Sequence, residues 1–391
     1  MKILYDHQAF GMQQFGGVSN CFVQLIKNLP QNCQHYISLC ESDNVHLIES
    51  GLNVSFKPRK LYEENFISNR KFKGRGFLYR CTLRLTPWLT SEGINRKCSI
   101  EALKRGNFDV FHPTYFHPYF LKYLNGKPFI LTVHDMIPEL FSFKRDNQIK
   151  WKKLLCNKAA HIVAVSENTK QDLIKILNVP NEKVTVIYHG APEYPNNIDS
   201  PPIINGKYIL YVGQRELYKN FLSMVKALTP VLQRHQYLKI VCTGAELTRR
   251  ETSALFAMGM TDRVQHLRVS DDRLIMNLYS HALCFIYPSA YEGFGIPILE
   301  AYKAYCPVLL NNKSCFPEIA NDAAIYFNLD DNHSDLESVM ESFLRISSEE
   351  RLSLLDKQRQ RLSLFSWQRS ASQLADIYRL ASQNCTPILT H

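Results

Sequence analysis

Two successive halves of the sequence repeat one pattern, in which short apolar, β-branched runs alternate with amphipathic stretches of helical period. In the first half the runs are KILYD, HYISLC, VFHPT, FILTVHD, HIVAVS and VTVIYHG. In the second half they are YILYVG, YLKIVCTG, RVQHLR, LCFIYPS, CPVLLNN and AAIYF. Such alternation is typical of parallel sheets built from βαβ units. It predicts an α/β chain with two doubly wound, Rossmann-like domains.

A stretch with little apolar periodicity, Ala191 to Lys207, separates the two halves and contains four prolines. Proline-rich segments between periodic regions are typical of linkers. We therefore predict a first domain over 1–195, a linker over 196–207 and a second domain over 208–365. The helix of 366–391 follows the second sheet and is a candidate to pack back on the first domain. A length of 391 residues also exceeds what one hydrophobic core usually supports.

The positive charge is concentrated in one segment. The formal net charge is +10, and the stretch Lys57 to Arg105 holds 13 Lys and Arg against 4 Asp and Glu, which leaves 33 against 32 elsewhere. Basic residues there alternate with aromatic and aliphatic ones, so the segment 57–105 is a candidate for contact with an anionic membrane surface. A solvated basic face of ordinary helices fits the pattern equally well. Nucleic acid is not expected as a partner, because no recognisable reader motif accompanies the charge.

The cysteines and the hydropathy indicate an intracellular chain. The eleven cysteines include no C-x-x-C pair, which favours reduced thiols over a zinc site or a disulfide framework. No stretch approaches the roughly 20 apolar residues that cross a bilayer, and the N-terminus lacks signal-peptide features. We expect a cytoplasmic protein.

The segment SAYEGFGIPILE, Ser289 to Glu300, is the strongest candidate ligand site. A strand leads into a glycine-containing loop and then into a helix with Pro297 in its first turn. Free N–H groups at such a helix N-terminus favour a diphosphate, and glycines at 293 and 295 would let a ligand approach the main chain. The N–H donors would be those of Phe294, Gly295 and Ile296.

Two glutamates flank this predicted phosphate site. Glu292 lies in the loop and Glu300 about one helical turn into the helix. Carboxylates accept hydrogen bonds from vicinal diols, so one could bind a sugar and the other a ribose. A glutamate pair at this spacing arises by chance about once in a chain of this length, so the surrounding strand, glycines and proline carry the inference.

A second candidate site is YVGQRELYKNF, Tyr211 to Phe221, at the carboxyl end of the first strand of the second half. Ligands of doubly wound sheets bind at that edge. After Gly213, the cations Arg215 and Lys219 are four residues apart in a loop that becomes a helix. Both could neutralise a departing nucleoside diphosphate.

The first half offers two further loops at strand ends. Gly16 and Gly17 precede a helix in FGGVSN, which is either a second phosphate loop or a plain tight turn. His134 follows a strand in VHDMIP and could hydrogen-bond a sugar hydroxyl as a neutral imidazole, although a structural role is more common for such a residue. No aspartates are two positions apart, so no D-x-D metal–diphosphate clamp is present and no metal is expected.

These motifs, in this order on two Rossmann-like domains, resemble retaining glycosyltransferase family four, which has the GT-B architecture. The pairs Glu292/Glu300 and Arg215/Lys219 carry the resemblance best. The opening LYDHQAFGMQQFGGVSNCF and the phrase YVGQRELYKNF look like bacterial enzymes that assemble O-antigen, capsule and similar polysaccharides. In many members the basic residue follows the arginine by five or six positions, whereas here the lysine follows by four.

The resemblance implies a role for each motif. Glu300 would bind the ribose and Glu292 the transferred sugar, while Arg215 and Lys219 would bind the diphosphate. His134 would contact the donor sugar. The remaining donor-binding positions that it implies are Gly16, Gly17, Ser166, Gly213, Phe294, Gly295 and Ile296.

The resemblance also implies an activity. It is retaining, metal-independent transfer of a hexose from a nucleotide diphosphate sugar, without a cofactor, to a glycan or undecaprenyl-linked saccharide in bacterial surface polysaccharide synthesis. GDP-mannose is the first donor to consider, because the opening phrases look like mannosyl- and rhamnosyltransferases, and the location would be the inner face of the plasma membrane. Two alternatives stay open: a sugar-nucleotide hydrolase or epimerase of the same fold, and a catalytically inactive membrane-surface scaffold.

Overall fold

The computed structural model describes residues 1–59, 78, 81, 86, 88, 90–141, 147–193, 200–215, 217–269, 271–330 and 334–383. Each of the twelve apolar runs contains one β-strand. Strands β1 to β6 are Lys2–Tyr5, Gln34–Ile37, Val110–His112, Ile130–Val133, His161–Ala164 and Val184–Val186. Strands β7 to β12 are Lys207–Tyr211, Leu238–Cys242, Val264–His266, Cys284–Tyr287, Val308–Asn311 and Ile325–Phe327.

All strand pairs between these twelve strands are parallel. The first six strands form two sheets of order β2-β1-β3 and β4-β5-β6. A parallel bridge between Phe111 and Phe129 connects these two sheets. The last six form one sheet of order β12-β11-β10-β7-β8-β9. Read from β9, this is the order of a doubly wound sheet, so the predicted fold class is confirmed.

Helices connect the strands in the described part of the chain. In the first half the α-helices α1 to α7 are Gln8–Met12, Gly17–Lys27, Val45–Glu49, Ser91–Arg105, Ile137–Leu140, Asn147–Lys158 and Glu167–Leu177. In the second half α8 to α15 are Phe221–Arg234, Arg249–Ala257, Asp272–His281, Ile296–Lys303, Phe316–Ala320, Leu336–Leu344, Ser348–Leu362 and Trp367–Gln383. The 3₁₀ turns are Pro118–Tyr123, Asn181–Lys183, Leu217–Lys219 and Thr261–Arg263.

The last helix, α15, packs on the first half of the chain. Its apolar face, which includes Trp367, Leu374 and Tyr378, joins the core formed by β1 and α2. The Tyr378 hydroxyl is hydrogen-bonded to the hydroxyl of Tyr5 at 2.9 Å and to Nδ1 of His112 at 2.5 Å. Because buried polar groups are costly without partners, these bonds fix the register of α15 on the sheet.

Most of the basic segment 57–105 lies outside the described residues, including Lys71, Lys73, Arg75, Arg80 and Arg84. Its described part is mainly α4. No helix in the described ranges has the length and apolar character needed to cross a membrane.

Candidate active site between the domains

The loop before α11 has the geometry of an anion site. Gly295 is the N-cap residue with φ 95°, a left-handed conformation that favours glycine, and Pro297 lies in the first turn. Within the described part of the chain, the N–H groups of Phe294, Gly295 and Ile296 donate to no protein acceptor. Three free donors at the positive end of a helix dipole are suited to a phosphate.

Lys219 and Glu292 form an ion pair beside this loop. Nζ of Lys219 lies 2.5 Å from Oε1 of Glu292, and both side chains are largely buried, at 16% and 10% exposure. Ser314 fixes the main chain of Glu292, accepting from its N–H at 3.2 Å and donating to its carbonyl at 2.8 Å. Burial and the neighbouring Glu292 carboxylate hold the pKa of Tyr287 well above its usual value. The pair therefore places one cation and one carboxylate next to the free N–H groups.

The guanidinium of Arg215 is hydrogen-bonded to protein groups on all three of its nitrogens. Its Nε donates to Glu251 at 2.8 Å, Nη1 to the carbonyl of Thr243, and Nη2 to the carbonyls of Ala245 and Glu246. The side chain is 3% exposed. All four contacts lie within its own domain, so in this structure Arg215 fixes the loop that follows β8. Phosphate binding by Arg215 stays a prediction.

Glu300 and Gly213 border the same region. Glu300 lies on α11, one turn beyond the free N–H groups, and accepts from the Tyr279 hydroxyl at 3.1 Å. Gly213 follows β7 with φ 119°, and its N–H donates to Thr243. Both residues lie at the carboxyl edge of the sheet formed by β7 to β12. The predicted ligand site lies at the same edge.

The glycine loop of the first half ends at a helix N-terminus. Gly16 is the N-cap residue of α2 and Gly17 its first residue. A methyl group at Gly17 would find no atom within 4 Å, so the main chain there is open to a ligand, whereas one at Gly16 would overlap the Gln13 side chain. The Ser19 hydroxyl donates to the Gly16 carbonyl at 2.9 Å. This geometry is compatible with a second phosphate loop and with a plain tight turn, so phosphate binding by Gly16 and Gly17 stays a prediction.

His134 follows β4 and is partly buried between aromatic rings. The ring centroids of Phe22 and His189 lie 5.9 and 6.0 Å from that of His134. Burial lowers the pKa of His134 to about 4. The imidazole is therefore neutral at physiological pH and retains one lone pair for a hydroxyl or another donor.

Gly293 lies at a tight main-chain contact between the two domains. A methyl group there would overlap the carbonyl oxygen of His134, so glycine is required by a neighbouring main chain rather than by a ligand. This corrects the expectation that Gly293 leaves room for a ligand. The Gly293 carbonyl also accepts hydrogen bonds from the other domain, from Ser166 at 2.6 Å and Thr169 at 3.3 Å.

Ser166 accordingly acts as a structural residue. Its hydroxyl caps α7 by accepting from the N–H of Thr169 at 3.1 Å, and it donates to Gly293 across the interface. It is fully buried. Because the hydroxyl already accepts one hydrogen bond and donates another, this arrangement does not support direct binding of the nucleotide sugar by Ser166.

Several charged residues that support the site carry no signal in the sequence. Glu318 accepts from the N–H groups of Glu167 and Asn168 and so caps α7 from the other domain. Lys152 is buried, pairs with Glu139 at 2.9 Å and donates to the carbonyl of Asp135, next to His134. Their partners are 13 to 151 residues away in the chain, so no local motif could have revealed them.

Two family profiles match the chain in succession. The profile described as Glycosyltransferase Family 4 matches residues 15–193, and that described as Glycosyl transferases group 1 matches residues 195–361. The chain belongs to glycosyltransferase family four. The family resemblance predicted from the sequence is confirmed.

Curated relatives match part of this family-four chain. The O-antigen chain mannosyltransferase RfbU of Salmonella typhimurium is 30% identical over 211 residues, 52% of this chain and 58% of the relative. The GDP-mannose:cellobiosyl-diphosphopolyprenol alpha-mannosyltransferase of Xanthomonas campestris is 26% identical over 210 residues, 52% of this chain and 54% of the relative. The chain thus spans little more than half the length of these two relatives.

A solved structure with the same fold covers nearly the whole chain. The Anabaena protein HepE, crystallised with UDP and glucose, superposes with a TM-score of 0.71 at 15% identity over 97% of this chain and 99% of HepE. At that identity the comparison shows the fold alone. It agrees with the GT-B architecture of family four.

The contact at Gly293 generates a prediction. Gly293→Ala would force the new methyl group against the His134 carbonyl and should destabilise the interface by about 1–3 kcal/mol. Thermal unfolding should show a lower melting temperature than wild type. Gly17→Ala is the matched control, because its methyl group meets no atom and its melting temperature should be unchanged. Equal melting temperatures for both variants would contradict the close main-chain contact.

Proposed function

We propose that this chain is a retaining hexosyltransferase that moves mannose from GDP-mannose to a glycan or a polyprenol-linked saccharide during bacterial surface polysaccharide synthesis. Family membership supports glycosyl transfer as the reaction class. The donor is suggested by the names of relatives, which include O-antigen chain mannosyltransferases and a mannosyltransferase whose name specifies GDP-mannose.

One arrangement carries the proposal: the Lys219–Glu292 ion pair stands beside three free N–H groups at the start of α11. The N–H groups and Lys219 are suited to the two phosphates of a nucleoside diphosphate. Glu292 can accept from sugar hydroxyls, and Glu300, one turn along the helix, can accept from a ribose diol. In this proposal the nucleotide sugar lies along the carboxyl edge of the sheet formed by β7 to β12. Its base and ribose lie near Glu300, and its diphosphate and sugar follow in the direction of His134.

Stabilisation of the leaving group is the main contribution that we propose for the protein. As the glycosidic oxygen leaves with the diphosphate, negative charge develops there, and Lys219 and the N–H donors would stabilise it. The departing phosphate oxygen accepts the proton of the acceptor hydroxyl while that hydroxyl attacks the same face of an oxocarbenium-like sugar. No covalent glycosyl-enzyme is proposed, because Glu292 is ion-paired rather than poised as a nucleophile.

The proposed mechanism requires no cofactor or metal ion. In metal-dependent sites, a cation bound by carboxylates bridges the diphosphate, and the sequence offers no D-x-D pair for that purpose. Here Lys219 would supply positive charge, and positioning between two domains would supply the remaining rate enhancement.

The donor is tested by a thermal-shift panel of GDP, UDP, dTDP and ADP on the wild-type protein. A ligand that binds only the folded state raises its melting temperature, so GDP should give the largest shift. A larger shift with UDP would move the proposed donor to a UDP-sugar, the type of nucleotide found in the HepE crystal. No shift with any nucleotide would favour a catalytically inactive scaffold.

The role of Lys219 is tested by Lys219→Met. Loss of one stabiliser of a developing anion typically lowers turnover about 100- to 1,000-fold, and we expect a decrease of that size in acceptor-dependent GDP release. Lys226→Met, at an exposed position on α8, is the control and should retain wild-type turnover. Near-normal turnover of Lys219→Met would refute the assignment, and GDP release that is independent of acceptor would indicate a hydrolase.

We also propose that the protein works at the cytoplasmic face of the membrane, where a polyprenol-linked acceptor is held, through the basic segment 57–105. Wild-type protein should sediment with vesicles containing anionic lipid and not with neutral vesicles, and the bound fraction should fall as salt is added. Replacing Lys71, Lys73 and Arg75 by glutamine should reduce binding. Equal binding of this variant would contradict the proposed surface.

A further inference from the structure

Three side chains with metal-binding atoms meet beneath the site. Cys21 lies in α2, His134 follows β4 and His189 follows β6. One ligand atom from each lies within 4.8 Å of the other two, and Sγ of Cys21 lies 3.3 Å from Nδ1 of His189. Sulfur and imidazole nitrogen are the donor types that Zn²⁺ prefers.

One nitrogen of this cluster lacks a partner. Nε2 of His134 is buried and has no hydrogen-bond partner among the described residues. A buried nitrogen without a partner is unusual and points to a missing ligand. The thiol of Cys21 would lose its proton when a metal binds.

The surroundings of the cluster are apolar and hold the ligands in place. Phe294 and Trp367 pack against the His189 ring with centroid distances of 4.7 and 5.6 Å. Cys21 and His189 are buried, whereas His134 is partly exposed. An ion could therefore enter beside His134, and water could occupy the fourth tetrahedral position.

We propose that Cys21, His134 and His189 form a binding site for a thiophilic divalent cation, with Zn²⁺ as the expected ion. Binding forms one Zn–S bond and two Zn–N bonds and releases the Cys21 thiol proton to solvent. The site links α2 to the loops after β4 and β6. The metal ion would take no part in the transfer reaction itself, although His134 belongs to both proposed sites.

A functional consequence follows if the proposed function is correct. A metal bound by His134 would remove that imidazole from the donor sugar. Zn²⁺ should then inhibit transfer, and EDTA should restore it.

Cobalt titration of the metal-free full-length protein tests the site directly, because a thiolate ligand gives Co²⁺ a charge-transfer absorption in the near ultraviolet. Wild-type protein should develop this band with one equivalent of Co²⁺. Cys21→Ala should lose it, and Cys156→Ala, which removes a buried thiol of α6, is the matched control that should retain it. His134 is less buried than the other two ligands, so His134→Gln is the variant more easily folded. It should weaken Co²⁺ binding about 100-fold or more, because loss of even an outer-shell partner lowers metal affinity about 10- to 100-fold.

The outcomes separate the two proposals. Absence of the band in wild-type protein, or its persistence in folded Cys21→Ala, overturns the metal site. If Cys21→Ala does not fold, an unchanged Co²⁺ affinity in His134→Gln overturns it. If the band behaves as expected while no sugar is transferred, the metal site stands and the proposed function fails.

Discussion

The arrangement of the two domains depends on the main-chain contact at Gly293. Its backbone lies against the carbonyl of His134, and its own carbonyl accepts from Ser166. Around this contact Glu318 caps α7 from the other domain, and the Tyr291 hydroxyl donates to Asp172 at 2.7 Å. These contacts join the loops after β4 and β10 and helix α7, so they bring residues of both halves together.

This contact also determines which groups are free to bind a ligand. Ser166 and Gly293 are used in joining the domains, and Arg215 is used in fixing its own loop. Lys219, Glu292 and the N–H groups of the α11 N-terminus are left at the edge of the interface. We infer that few groups of the site are available to a ligand. A larger number of buried polar contacts fixes the positions of these groups.

The sequence predicts the fold well because its signals are local. Each apolar run coincides with a strand, and Gly295 and Pro297 mark the start of α11. The sequence predicts the site only in part, because the partners of the site's side chains come from distant parts of the chain. Glu251, the partner of Arg215, is 36 residues away in the chain, and the contact between Gly293 and His134 joins two domains. Likewise the cluster of Cys21, His134 and His189 has no spacing typical of zinc sites.

The return of α15 to the first sheet has a mechanical consequence. The chain passes between the domains twice, and the N–H of Ala191 on the outgoing passage donates to the carbonyl of Phe365 on the returning one at 3.2 Å. Two crossings joined by a main-chain hydrogen bond restrict the relative motion of the domains more than a single linker would. They also make the first domain structurally discontinuous, so a fragment that ends at the linker would expose the apolar surface that α15 covers.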